Sequence, residues 1–219
     1  MKVKFIFLLA AFAAAFASCK KDSVTGNDSI QTQERNVSAF TKVATQGSTT
    51  IYIVQGADFE VKAKGYANLL PYLKTTVENG VLSVRYENTS NVRNDNSEVF
   101  ITMPVLTGLS SGGSGDMHVT GEFSGNTNFD AHISGSADIT VEKGSAENFV
   151  LHSSGSGSFG SFGFTSQNAD IAISGSGEAK ITVGQKLKVK INGSGSVYYK
   201  GNPATVDNDI SGSGKVIKQ

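Results

Sequence analysis

The chain has no tryptophan, one cysteine and three prolines among 219 residues. A single cysteine cannot close a disulfide within the chain, so the fold must rest on packing and backbone pairing. Neither HExxH nor a paired-cysteine motif occurs, which removes the familiar zinc sites, and there is no Walker A sequence to cradle a nucleotide phosphate. A G-x-S-x-G elbow is missing too, and the many serines lack His and Asp partners in a triad arrangement. Basic and acidic residues number 19 each. That balance gives no basic field to neutralise phosphates, so nucleic acid is excluded as a partner. No cofactor is expected.

Long apolar runs are also lacking. The one candidate, Phe5 to Ala17, is shorter than the roughly 20 residues a membrane-spanning helix needs. With Lys2 and Lys4 before it and the small residues Ala17 and Ser18 after it, it reads as a secretory signal over residues 1–18. "FASC" resembles the bacterial lipoprotein box, whose cysteine becomes the acylated first residue, although Phe16 stands where leucine is usual. The resemblance implies lipidation of Cys19 and attachment to a membrane through several acyl chains, because one chain holds only marginally. Lys20 follows, not the aspartate that resembles an inner-membrane retention signal. The expected location is therefore the outer membrane or cell surface. Loss of the signal removes two lysines and leaves 17 basic against 19 acidic residues.

Residues 19–35 read as a lipid-anchored polar linker, since "KKDSVTGNDSIQTQER" has no hydrophobic periodicity. Within it, Asp22–Val24 and Asp28–Ile30 resemble short O-glycosylation signals, a pattern that chance also produces. A domain is expected over 36–219. Its first part, 36–107, is strand-rich: Thr50–Val54, Phe59–Ala63, Val81–Tyr86 and Val99–Met103 mostly alternate apolar with polar residues. Asn79-Gly80 predicts a tight hairpin over Thr75–Tyr86. Tyr66–Lys74 has room for one helical turn, limited by Pro71, and Glu87–Ser97 reads as a polar loop.

What the chain has in abundance is glycine, and 20 of its 25 glycines lie between Gly108 and Gly214. Gly113, Gly135, Gly155, Gly175, Gly193 and Gly212 are spaced by 22, 20, 20, 18 and 19 residues, each is followed by serine, and all but Gly135 by Ser-Gly. A flexible linker has no reason to keep a period. Repeats of about 20 residues built from short strands and tight turns indicate a β-solenoid. Two residues before each corner glycine stand Ser111, Ile133, Ser153, Ile173, Ile191 and Ile210. Four residues after stand Met117, Ile139, Phe159, Ala179, Val197 and Val216. These positions share parity and face inward.

Candidate chemistry is sparse. "GSGSFG" at Gly155–Gly160 satisfies G-x-G-x-x-G but does not open a helix, so it is read as another corner. His132 and His152 sit three residues before their corners and would stack, with Asp130 and Asp170 on the same outward stripe. Such a pair is expected to be a solvent-facing ladder, so no metal ligand is assigned; the alternative is a transition-metal site. Asp116 and Asp138 sit three residues after their corners and would stack about 4.8 Å apart, either as ordinary turn residues or as a carboxylate pair for an ion or for glycan chemistry. One of Tyr198 and Tyr199 should project outward. Nothing amphipathic follows the last corner to cover the final coil. Contact there with another copy, making a homo-oligomer, or with a folded-back terminal strand is expected.

Taken together, the lipoprotein-type signal, "LSVRY", "VFITMPVLTGLSSGGSGD" and the recurring "ISGSG" corners resemble the autotransporter adhesin head, or GIN, domain family (DUF2807) from about Asn36 to Ile217. The resemblance implies an all-β, right-handed parallel β-helix with a strand-rich opening, located at the cell envelope, and an adhesive role. It transfers no catalytic residue. The expected function is a non-enzymatic envelope lipoprotein that acts as an adhesin or structural binding module toward a glycan or surface protein. The alternative is a glycan-binding or glycan-cleaving β-helix using Asp116 and Asp138.

Overall fold

The computed structural model describes residues 23–89 and 91–219, so the expected signal and Cys19 lie outside the described residues. Nine short strands come first: β1 (Ser23–Thr25), β2 (Ile30–Glu34), β3 (Lys42–Gly47), β4 (Thr50–Gln55), β5 (Glu60–Tyr66), β6 (Leu73–Glu78), β7 (Val81–Tyr86), β8 (Asn91–Arg93) and β9 (Glu98–Met103). Eight more carry the repeats: β10 (Gly108–Gly113), β11 (Met117–Gly135), β12 (Asp138–Gly155), β13 (Ser158–Gly175), β14 (Glu178–Gly193), β15 (Ser196–Lys200), β16 (Thr205–Gly212) and β17 (Lys215–Lys218). They form an all-β solenoid of about six turns.

The corner glycines lie in a vertical file. Gly135, Gly155, Gly175, Gly193 and Gly212 pair in register on successive coils. Each following serine donates its backbone N–H to the corner carbonyl one coil back: Ser136 to Gly113, Ser156 to Gly135, Ser176 to Gly155, Ser194 to Gly175 and Ser213 to Gly193, all at 2.9 Å. Only glycine serves here. At Gly155, φ is +122°, and a Cβ would lie 2.2 Å from the Gly135 carbonyl oxygen.

The file has one member more than the repeat spacing reveals. Gly47, with φ +104°, pairs with Gly113, and its carbonyl accepts the N–H groups of Ser114 at 2.9 Å and Gly115 at 3.0 Å. Gly47-Ser48-Thr49 is thus a corner in which threonine replaces the second glycine. Sequence order and stack order differ around it. β3 pairs with both β10 and β7, and β4 with both β11 and β9, all parallel, so the first coil of the chain lies between two later ones.

The inward columns are buried as their parity requires, from Met117, Ile139 and Phe159 to Ile173, Ile191 and Val197. Phe129, Phe149, Phe159 and Phe164 fill the centre, with ring centroids 4.8–6.3 Å apart. The two inward serines are satisfied locally. Ser111 donates its hydroxyl to the Gly115 carbonyl at 3.2 Å and Ser153 to that of Gly157 at 3.5 Å, each across its own corner.

Antiparallel strands close the end of the stack that β7 and β9 occupy: β6 on β7, β5 on β9 and β2 on β5. Asn79 and Gly80 have φ of +51° and +75°, and they turn the β6–β7 hairpin as predicted. Tyr66–Leu73 forms turns, with Leu70 N–H donating to the Tyr66 carbonyl at 3.2 Å, and it places Leu70 and Leu73 in the core. Two expectations need correction. The polar stretch before residue 36 is not a free linker, because β1 pairs with β8 and β2 with β5; the outer hydrogen-bonding groups of β5 would otherwise face solvent. Likewise, the loop 87–97 contains β8.

At the opposite end the last rung consists of β16 on β14 and β17 on β15. No strand folds back over it among the described residues. Val206 and Ile210, inward by parity, are each 40% exposed. Asn208 and Lys218 occupy the other inward columns, below Val189 and Tyr199.

Candidate functional site

Side chains excluded from the core project on two outer faces, one on each side of the corner file. On the face before the corners, the residues one and three positions ahead of each corner glycine point outward and build a groove of about 700 Å³. One column runs Gly112, Ser134, Ser154, Ser174 and Asn192; the other runs Ser110, His132, His152, Ala172 and Lys190. Among the described residues, the hydroxyls of Ser110, Ser134, Ser154 and Ser174 have no protein partner. Ser134, Ser154 and Ser174 repeat at strand spacing, about 4.8 Å, with Ser110 in the column beside them, and their donors and acceptors face solvent.

His132 and His152 stack as the repeat spacing predicted, with ring centroids 5.3 Å apart and planes inclined by 26°. Asp130 and Asp170 lie not on the histidine stripe but on the one beside it, and each is ion-paired: Asp130 with Lys42 at 2.7 Å and Asp170 with Lys188 at 2.9 Å. The Asp170 carboxylate raises the pKa of Lys188 by hydrogen bond and by charge.

Asp116 and Asp138 also share a column, yet they serve the backbone. Asp116 Oδ1 accepts the N–H of Asp138 at 2.9 Å. Asp138 Oδ1 accepts the N–H of Ser158 at 3.1 Å and also the Ser158 hydroxyl. Each carboxylate stitches its coil to the next, and the glycan alternative draws no support from the pair. No group of three metal-ligating side chains occurs among the described residues.

The face after the corners carries a feature that the sequence conceals. Phe100, Tyr52 and His118 stack in that order, with centroids 5.1 and 5.3 Å apart, and Lys64 lies 6.0 Å from the Phe100 ring centre. Tyr198 projects from the same face near the Lys180 ammonium at 5.8 Å, whereas Tyr199 turns inward against the core. Where the first corner meets the loop 87–97, Tyr86 donates its hydroxyl to Asp95 Oδ1 at 2.7 Å, and Ser48 donates to Asp95 Oδ2 at 2.7 Å. Burial, more than the Asp95 carboxylate, pushes the Tyr86 hydroxyl above its ordinary range, and a Ser97 hydrogen bond opposes the shift.

Residues 39–203 match the family described as "Putative auto-transporter adhesin, head GIN domain". The chain belongs to this family. Solved structures of the same fold include a "putative adhesin" from Bacteroides fragilis, at 21% identity and TM-score 0.72, with 90% of this chain and all of that one covered. A "putative lipid binding protein" from Parabacteroides distasonis is 22% identical with TM-score 0.59 over the same shares. A "putative adhesin" from Parabacteroides merdae is 20% identical with TM-score 0.53, covering 90% of this chain and 99% of that one. Identities this low speak to the fold alone. No curated protein matches the chain. The GIN-domain family is described by adhesion and not by a reaction, which suggests a cell-surface or envelope location.

Proposed function

We propose that this GIN-domain protein is an envelope lipoprotein, held at the outer membrane through Cys19, whose solenoid is a non-enzymatic binding module with the serine–histidine groove as its contact surface. The observation that carries the reading is the row of unengaged hydroxyls at Ser134, Ser154 and Ser174, with Ser110 in the column beside it, in one outward groove. A rigid β-sheet fixes their spacing, so a partner meets a pre-ordered row and little conformational entropy is lost on the protein side. The hydroxyl, imidazole and amide groups, with Lys190 at one end already paired to Asp209, suit a polar ligand such as a glycan chain or a surface-protein loop. Cys19, in a lipoprotein-type signal, supplies the anchor.

Two measurements test the proposal. Protease treatment of intact cells that express the chain should remove it from the surface, and Cys19→Ala should shift it to the soluble fraction. Adherence of such cells to immobilised glycans and matrix proteins should fall when Ser134, Ser154 and Ser174 are all changed to lysine. Adherence unchanged by that triple substitution would mean that the groove is not the contact surface.

A further inference from the structure

We infer that His132 and His152 form a two-imidazole site for a borderline divalent transition-metal ion such as Cu²⁺ or Zn²⁺. The inference goes beyond the binding role proposed above and does not depend on it. Four observations converge on the pair.

First, the register of β11 on β12 places the two residues directly opposite each other. The sheet itself, and not side-chain rotamer choice alone, sets their separation at 5.3 Å. Second, both rings are exposed in the groove, and none of their four nitrogens has a protein hydrogen-bond partner among the described residues. Imidazole nitrogen is the ligand atom that these cations favour, and it must be free and unprotonated to bind them. Third, the flanking positions in the column are small. Ser110 lies on one side and Ala172 on the other, which leaves room for waters to complete the coordination shell. Fourth, nearby cations are neutralised. Lys42 pairs with Asp130, Lys188 with Asp170, and Lys190 with Asp209 at 3.2 Å, so the field at the pair does not repel a dication.

His118, the only other histidine, stacks on Tyr52 on the opposite face and serves as an internal control. Titration of the full chain with CuCl₂ and with ZnCl₂, followed by calorimetry, should show one ion bound per groove, with Cu²⁺ the tighter as the usual divalent order requires. His132→Ala and His152→Ala should each weaken binding at least tenfold, because the chelate is lost with its first arm, and the double variant, with no imidazole left in the groove, should retain no binding above background. His118→Ala should leave binding unchanged. Because the two groove histidines are exposed, each variant should keep the wild-type thermal unfolding profile. Binding equal in wild type and the double variant would overturn the assignment. So would single variants that each abolish half of the bound metal, since that marks two independent one-ligand sites.

Discussion

Lys42 and Asp130 are ion-paired at 2.7 Å although a complete strand lies between them. Lys42 is paired in register with Gly108, and Gly108 with Asp130, so the lysine reaches across β10 over a residue without a side chain. A Cβ at Gly108 would meet the Asp130 carbonyl at 3.0 Å and the Lys42 Cδ at 3.2 Å. The two perturbations should therefore rank clearly. Lys42→Met removes a pair that is about two-fifths exposed and should cost less than about 1 kcal/mol. Gly108→Val forces backbone and lysine apart and should cost about 1–3 kcal/mol. Denaturant midpoints of the two variants check this order, and a larger loss from Lys42→Met would contradict it.

Two other glycines, five residues apart, should respond in opposite senses to alanine. Gly155→Ala combines a positive φ with a Cβ driven into the Gly135 carbonyl and should cost about 3 kcal/mol or more. At Gly160 a Cβ meets nothing within 4 Å. Gly160→Ala should then be neutral or stabilise by up to about 1 kcal/mol, because the unfolded chain loses freedom. Thermal unfolding of both variants gives the comparison directly.

Tyr86 should make the chain sensitive to alkali. Its folded-state pKa lies above the ordinary value of 10.0, so the folded chain holds this proton more tightly than the unfolded one. The contribution is fully present below pH 10 and is lost as pH rises beyond it. Stability measured in urea between pH 8 and 11 should fall more steeply for wild type than for Tyr86→Phe. Equal slopes would show that the Tyr86 hydroxyl is not buried in solution.

The open rung should be sensitive to polarity. Asn208 and Lys218 put polar groups into columns that are apolar in the coils above, beside the exposed Val206 and Ile210. Polar and charged groups at such an edge oppose pairing with another chain. Changing both residues to valine should increase self-association, read by light scattering as a higher mass at equal concentration. An unchanged mass would mean that the rest of the rung blocks contact.

These outcomes also show which parts of the fold are legible in the chain. The Gly-Ser corners could be read because positive φ and close carbonyl contact leave glycine as the practical choice, and that requirement returns with each coil. His132 over His152 could be read for the same reason, since one coil separates them. Asp116 and Asp138 could be placed in a column, but their acceptance of backbone N–H groups could not be foreseen from spacing. Gly47-Ser48-Thr49 is not legible as a corner because Thr49 hides the motif and an excursion of several strands interrupts the period. The Phe100–Tyr52–His118 stack was hidden by the same excursion, which brings together residues that share no regular interval. The strands before residue 36 are not legible because β2 is held by the edge of β5 and not by any apolar periodicity of its own.

The position of β3 and β4 between later strands has a consequence for biogenesis. A chain made amino end first delivers this pair before either neighbour exists, so zippering cannot begin there and advance coil by coil. Closure must wait for β7 and β9 on one flank and for β10 and the start of β11 on the other. Such delayed contacts slow folding, and until the strands on both flanks exist the edges of β3 and β4 stay open to pairing with another chain.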